Sequence, residues 1–277
     1  MNNYFVIGNP VDHSLSPLIH NYWFKKYKIN GTYEKRKLET NELKGFTEEI
    51  RNNKSFKGAN VTVPFKNEII PFLDELSDVA EETFSVNTIV KENKKLIGHN
   101  TDATAFEKTL EENDSYLALK TLIIGAGGVT PSIIWAIRSF NHNKIYIFNR
   151  TQEKAIELVK RLSPGLIGNG IEVLDWGEIP DVSLVVNTTS LGLKQNDDLK
   201  LDFKKYNNKK DSMFYDLIYN PKETNFLIDA KKRGNYIKNG KMMFLLQAKQ
   251  AFQLWTNVDV KIDEEILKIV DWWLGSL

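Results

Sequence analysis

An apolar-rich run, Leu119 to Ile124, leads straight into Gly125-Ala126-Gly127-Gly128, and a helical pattern follows from about Pro131 to Phe140. A second strand pattern, Lys144 to Phe148, closes the unit. Strand, glycine turn, helix and strand within roughly 30 residues specify one βαβ crossover. Such a crossover sets two strands parallel in a shared sheet. Val182 to Asn187 and Met213 to Leu217 are apolar enough to extend that sheet.

The same alternation continues on both sides. Tyr4 to Gly8 is predicted as a strand, followed by a loop through Asn9-Pro10. Ser16-Pro17 reads as an N-cap with proline at the first helical position. Ile19, Tyr22, Trp23 and Tyr27 then recur at helical spacing and are expected to face a core. Gly31 to Leu38, Ala59 to Pro64 and Thr88 to Val90 are further strand candidates. In Asn60-Val61-Thr62-Val63-Pro64 the valines alternate with polar residues, as in a half-buried strand, and Pro64 ends the pairing. The tail is helical: Met243, Leu246, Gln247, Ala251 and Trp255 make one stripe. Ile266, Leu267, Ile269, Val270 and Trp273 make another, with Gly275 as C-cap. Strands and helices in alternation define an α/β class, and 277 residues leave room for two domains.

Composition removes several functions. The formal net charge is +1 with lysines scattered, so neither a nucleic-acid nor a membrane surface is expected as partner. There is no cysteine, hence no disulfide framework and no thiol nucleophile. The four histidines show no ligand spacing, and neither HExxH nor G-x-S-x-G occurs. The start lacks the regions of a signal peptide, and no apolar run approaches the ~18 residues of a membrane span. A cytoplasmic globular protein is the expectation.

The glycine turn suits a dinucleotide, because Gly125, Gly127 and Gly128 let backbone approach a pyrophosphate at a helix N-terminus. The pattern is G-x-G-x-x-T, with Thr130 in the third small position. After Phe148 an NAD site usually offers an acidic residue to the ribose hydroxyl. Here Asn149-Arg150-Thr151 follows instead, and a guanidinium matches a 2′-phosphate. The expected cofactor is therefore NADP.

Other polar groups stand at strand and helix ends. Lys66 falls just past a strand's carboxyl end, where open α/β sheets keep their ligand crevices. Ser14 and Ser16 present hydroxyls at a helix start, while Asn87 and Asp102 flank the passage Val86-Asn87-Thr88 to Asn100-Thr101-Asp102. Together with His13-Ser14-Leu15-Ser16-Pro17, Asn60 to Lys66 and Asn187-Thr188-Thr189-Ser190-Leu191-Gly192, these segments resemble shikimate dehydrogenase over essentially the whole chain. Tyr215-Asp216, Tyr219, Pro221, Thr224, Gly240, Met243 and Gln247-Ala248 complete the resemblance.

The resemblance implies two α/β domains with the active site in the cleft between them. An N-terminal substrate domain, residues 1–101 completed by helices in 241–277, would accompany a Rossmann-type doubly wound NADP domain, residues 102–240. It also implies reversible NADPH-dependent reduction of 3-dehydroshikimate to shikimate, toward the aromatic amino acids. Ser14 and Ser16 would hold the substrate carboxylate; Thr62, Asn87, Asp102 and Gln247 its ring hydroxyls; and Tyr219 would lie nearby. Lys66 and Asp102 would serve the reacting centre, Lys66 either donating the proton or stabilising charge on the developing alkoxide. Gly125, Ala126, Gly127, Gly128, Asn149, Arg150, Thr151, Thr188 and Gly240 would line the cofactor. Ala103, Ser85 and Val129-Thr130-Pro131 depart from the family pattern. A quinate/shikimate dehydrogenase preferring NAD, or an idle NADP or metabolite sensor, are the alternatives, in a monomer or homodimer.

Overall fold

The structure is a computed structural model that describes residues 1–111, 120–140, 144–162, 170–194, 197–203 and 212–275. Leu119, His142 and the residues after Gly275 lie outside these. The chain divides into two compact units, Met1–Ala105 with Leu245–Leu277, and Phe106–Phe244. The first contains β1 (Asn2–Gly8), α1 (Ser16–Lys26), β2 (Gly31–Lys37), α2 (Leu43–Asn52), β3 (Phe56–Val61) and β4 (Glu75–Leu76). It continues through α3 (Asp78–Thr83), β5 (Thr88–Glu92), β6 (Lys95–His99) and the start of α4 (Thr101–Glu111). The second holds β7 (Lys120–Ile124), α5 (Thr130–Arg138), β8 (Lys144–Phe148), α6 (Gln152–Leu162), β9 (Ile171–Val173) and β10 (Leu184–Asn187). Then come β11 (Met213–Asp216), α7 (Asn225–Lys232) and β12 (Tyr236–Asn239), before α8 (Lys241–Thr256) and α9 (Glu264–Gly275).

Each unit is built on a six-stranded sheet. The first runs β2-β1-β3-β5-β6-β4 and is mixed, because β5 pairs antiparallel with both β3 and β6. The second runs β12-β11-β10-β7-β8-β9 with every pairing parallel. Chain order reverses between β7 and β10, and ligands bind beyond the carboxyl ends of strands at such a switch point. The sheet is therefore the Rossmann type expected from the glycine turn.

Two cores flank the first sheet. Phe5, Ile7, Phe46, Ile50, Phe56, Val61, Phe65 and Leu96 pack on the α2 side. Tyr4, His20, Trp23, Phe24, Tyr33, Phe252 and Trp255 form an aromatic stack, in which His20 lies 4.3 Å from the Tyr33 ring at 9°. Gly58 is required there, since a Cβ would come within 2.3 Å of Trp255 Nε1. With no hydrogen-bond partner for either ring nitrogen among the described residues, burial drives the His20 pKa down to about 3, so the imidazole in the stack is neutral.

Three local expectations are corrected. Ser16 is the first residue of α1 rather than its cap: Leu15 flanks the helix, and the Ser14 hydroxyl accepts from the Ser16 amide at 3.3 Å. Tyr22 and Tyr27 are only half-buried, and Tyr22 Oη bonds Glu265 at 2.6 Å, while His20 and Phe24 take the core positions. A phenol with an acidic partner at the rim gains more there than inside. Val63 is 60% exposed and β3 stops at Val61, because the strand is buried on both faces and the chain then turns out through Pro64. Asn60 is buried beside Val61, so the valine alternation was not a record of solvent and core faces.

Candidate active site

Phe65 N–H donates to Thr62 O at 2.9 Å and Val86 N–H to Lys66 O at 2.9 Å, so the turn after β3 brings Lys66 inward. Its ammonium donates to Asp102 Oδ2 at 2.7 Å, with the two side chains only 11% and 9% exposed. Asp102 lies in the first turn of α4, where Asn100 Oδ1 accepts from the amides of Asp102 (3.1 Å) and Ala103 (3.2 Å). Asn100 thus caps the helix, and a carboxylate in the first turn also suits the helix dipole. Ala103 is wholly buried in that turn. A desolvated amine and carboxylate in contact can hold a fixed positive charge, or deliver a proton, beside a carbonyl oxygen.

Asn87 is part of the same framework. Its Oδ1 accepts from the Thr101 amide at 2.8 Å, and its Nδ2 donates to Thr101 Oγ1 at 2.9 Å. Asn60 Nδ2 donates to Asn87 O at 3.1 Å and to Thr88 Oγ1 at 3.0 Å, while Tyr33 Oη donates to Asn60 Oδ1 at 2.6 Å. Burial raises the Tyr33 pKa well above its ordinary value, so the phenol stays a donor; the Ser16 side chain beside it partly offsets that rise. Tyr33, Asn60 and Thr101 escaped sequence reasoning as bonded partners, although Asn60 and Thr101 lie inside the quoted motifs. Ser14 Oγ donates to Ser16 Oγ at 3.2 Å, and both stand before the N-terminus of α1 or in its first turn. Ser14 also lines a mostly apolar surface groove of about 590 Å³ with Leu15, Leu18, Tyr22 and Trp273. Thr62 and Gln247 are both half-buried, Thr62 in the turn after β3 and Gln247 on α8.

In the second unit the expected cofactor residues follow the carboxyl ends of four strands: Gly125 to Gly128 after β7, Asn149 to Thr151 after β8, Thr188 after β10 and Gly240 after β12. Gly125 follows β7 with φ +112°, and a Cβ there would lie 2.7 Å from Thr188 Oγ1, just after β10. Thr188 Oγ1 donates to Ile124 O at 2.9 Å and meets Thr130 Oγ1 at 2.9 Å. Thr130 Oγ1 also donates to Gly125 O at 3.2 Å, so the unusual third position of the fingerprint ties the turn internally. Ala126 N–H donates to Asn149 Oδ1 at 3.2 Å, and Asn149 Nδ2 to Thr151 O at 2.8 Å. Asn149 therefore fixes the turn against the end of β8, while Arg150 and Thr151 are exposed. Gly127 has open space where a Cβ would stand, as close approach by a pyrophosphate requires. No acidic side chain occupies positions 149–151, and these residues fit a 2′-phosphorylated dinucleotide. Gly240 opens α8, and a Cβ on it would lie 2.0 Å from Leu217 O. Tyr219 stacks on Phe244 with centroids 4.6 Å apart. Among the described residues there is no cluster of metal-ligating side chains and no helix long and apolar enough to cross a membrane.

A glycine-turn switch point with a guanidinium at the next strand end, plus a unit carrying a buried amine–carboxylate pair, defines an α/β dehydrogenase of the NADP-linked class. Residues 6–89 match the shikimate dehydrogenase substrate binding domain, and residues 107–181 match the shikimate / quinate 5-dehydrogenase family. A shikimate dehydrogenase (NADP(+)) of Pelagibacter ubique is 49% identical, covering 97% of this chain and 98% of its own. One from Aquifex aeolicus is 39% identical over 93% of this chain and 92% of its own. The crystal structure of shikimate 5-dehydrogenase from Thermus thermophilus in complex with NADP(H) and shikimate superposes with a TM-score of 0.83 at 30% identity, covering 94% of this chain and 95% of that one. The chain belongs to the shikimate dehydrogenase family.

Proposed function

We propose that the protein catalyses the reversible reduction of 3-dehydroshikimate to shikimate with NADPH, a step of aromatic amino acid biosynthesis. The observation that carries this reading is the buried Lys66–Asp102 pair at 2.7 Å, in a chain that belongs to this family. When bound, NADPH supplies the hydride. Lys66 stands to the substrate carbonyl oxygen as proton donor or fixed cation. Asp102 orients the ammonium and accepts from the neighbouring ring hydroxyl. Asn87 and Thr62 take further ring hydroxyls, and the rigid Asn87–Thr101 contacts support that role by leaving little freedom to lose on binding.

Ser14 and Ser16 hold the substrate carboxylate with their hydroxyls, a role supported by their place at a helix start. Gln247 and Tyr219 are assigned to substrate binding on the family resemblance alone. Gly125, Ala126, Gly127 and Gly128 cradle the pyrophosphate, with Asn149, Thr188 and Gly240 shaping the backbone around it. Arg150, with Thr151, receives the 2′-phosphate, which favours NADP over NAD.

The test is absorbance at 340 nm with shikimate and NADP, then with quinate and with NAD. Rapid NADPH formation with shikimate is the expected result. A preference for quinate or NAD would move the protein to the sister activity. No turnover with any pair, in a folded sample that binds NADP, would refute the enzymatic reading.

A further inference from the structure

Asp216 is wholly buried at the end of β11 and takes no part in the chemistry above. It lies in register with Asn187, the last residue of β10. Asn187 Nδ2 donates to Asp216 Oδ1 at 3.1 Å, and the Ile218 amide donates to the same oxygen at 3.0 Å. Thr224 Oγ1 donates to Oδ2 at 2.6 Å. No cation pairs with this carboxylate among the described residues, and desolvation pushes its pKa up to about 6. A buried carboxyl without a counter-ion is a costly choice for mere filling.

The donors explain the choice. Two amide-type N–H groups converge on one oxygen and a hydroxyl on the other, so acceptors are needed on both arms. The three donors belong to three segments: the end of β10, the turn after β11, and Thr224, which caps α7. Asn187 extends the network, because its Oδ1 accepts from Thr189 N–H (3.0 Å) and Thr189 Oγ1 (2.7 Å), and its Nδ2 donates to Leu191 O (3.2 Å). The 188–192 loop is thus held by Asn187 and the 217–224 loop by Asp216, and the bond between these two side chains couples the loops. They also touch closely: a Cβ on Gly192 would sit 3.3 Å from the Thr224 side chain. These loops carry Thr188 and the Leu217 carbonyl that abuts Gly240, at the carboxyl edge where the cofactor is assigned.

We propose that Asp216 is a positioning residue for the cofactor, holding the 188–192 and 217–224 loops in the arrangement that NADP(H) requires. It rests on the NADP assignment above. Without the carboxylate the loops are ordered only when the dinucleotide arrives, and the ordering is subtracted from affinity.

The experiment compares wild type, Asp216→Leu, Asp216→Asn and Thr224→Val. NADPH affinity is read by cofactor fluorescence, shikimate affinity by calorimetry without cofactor, and folding by thermal melts. Asp216→Leu is expected to raise the NADPH Kd by about tenfold or more with shikimate affinity unchanged. Asp216→Asn is expected to recover most of the loss, since it keeps the Oδ1 acceptor and the Thr224 hydroxyl can reverse to accept from the new amide. Thr224→Val, which keeps the charge and removes one donor, is expected to raise the Kd about threefold and carries the test if Asp216→Leu does not fold. Wild-type NADPH affinity in the folded variants, or equal losses for both ligands, overturns the proposal. A wild type that binds no NADPH sinks the cofactor assignment and this proposal together.

Discussion

In the unit of residues 1–105 and 245–277 the candidate site side chains are bonded to one another: Lys66 to Asp102, Asn87 to Thr101, Ser14 to Ser16. In the unit of residues 106–244 the side chains with internal bonds, Asn149, Thr130 and Thr188, serve the backbone, and other positions proposed for the cofactor are left open. Gly127 borders empty space, and Arg150 and Thr151 are exposed. A small substrate offers few atoms, so its site has to be preorganised from side chains held before it arrives. A dinucleotide is large and anionic, so backbone amides, a dipole and one exposed cation suffice to draw it in. The contrast predicts that substitutions in the first unit damage turnover and those in the second damage cofactor affinity.

Lys66→Ala should give the largest effect, a fall in kcat of roughly 100- to 10,000-fold with little change in shikimate KM, read by steady-state kinetics. Near-normal turnover would break the contrast at its strongest point. Arg150→Ala should come next, raising the NADP KM about tenfold while leaving the NAD KM and the shikimate KM in place. An equal loss for NAD would mean that Arg150 does not read the 2′-phosphate.

Two glycines sharpen the comparison further. Gly240→Ala puts a methyl against Leu217 O and should destabilise by about 1–3 kcal/mol, lowering Tm. Gly127→Ala meets nothing in the protein, so Tm should hold while NADP KM rises, because only the pyrophosphate would feel the methyl. If both variants lose Tm alike, the open space at Gly127 is structural rather than a cradle.

The smallest effect concerns pH. Burial raises the Asp216 pKa to about 6 in the folded protein, above its ordinary value, so the folded chain binds that proton more tightly than the unfolded one. Its contribution to stability is full below the unfolded pKa and is lost as pH rises through about 6. The stability difference between wild type and Asp216→Asn should therefore shift in favour of wild type as pH falls from 7 to 5, in paired chemical denaturation curves. A pH-independent difference would assign the carboxyl an ordinary pKa.

Legibility in the sequence follows the range of the interaction. The βαβ unit with its glycine turn could be read because strand, turn and helix are contiguous and each residue type has a local reason to be there. Arg150, one strand further on, was read by the same local logic, and the structure leaves it exposed. The Lys66–Asp102 contact joins residues from separate motifs, and their common role came from family resemblance rather than from spacing. Val63 misled because alternation marks two faces of a strand without saying that both are buried. The bonds of Tyr33 and Asn60 left no trace, since a buried polar pair reads in sequence as two ordinary polar residues among apolar ones.

The unit that carries Lys66 is discontinuous in the chain, and Phe252 and Trp255 of its last segment pack on Tyr4, Phe24 and His20 of its first. On the ribosome that aromatic stack has to wait until the intervening 106–244 unit has been made, whereas the nucleotide unit emerges whole and can fold as it is synthesised. The half that carries Lys66 and Asp102 is thus the last to be completed, and a chain stalled before residue 245 would display an unfinished aromatic face to chaperones and proteases while its other half was already complete.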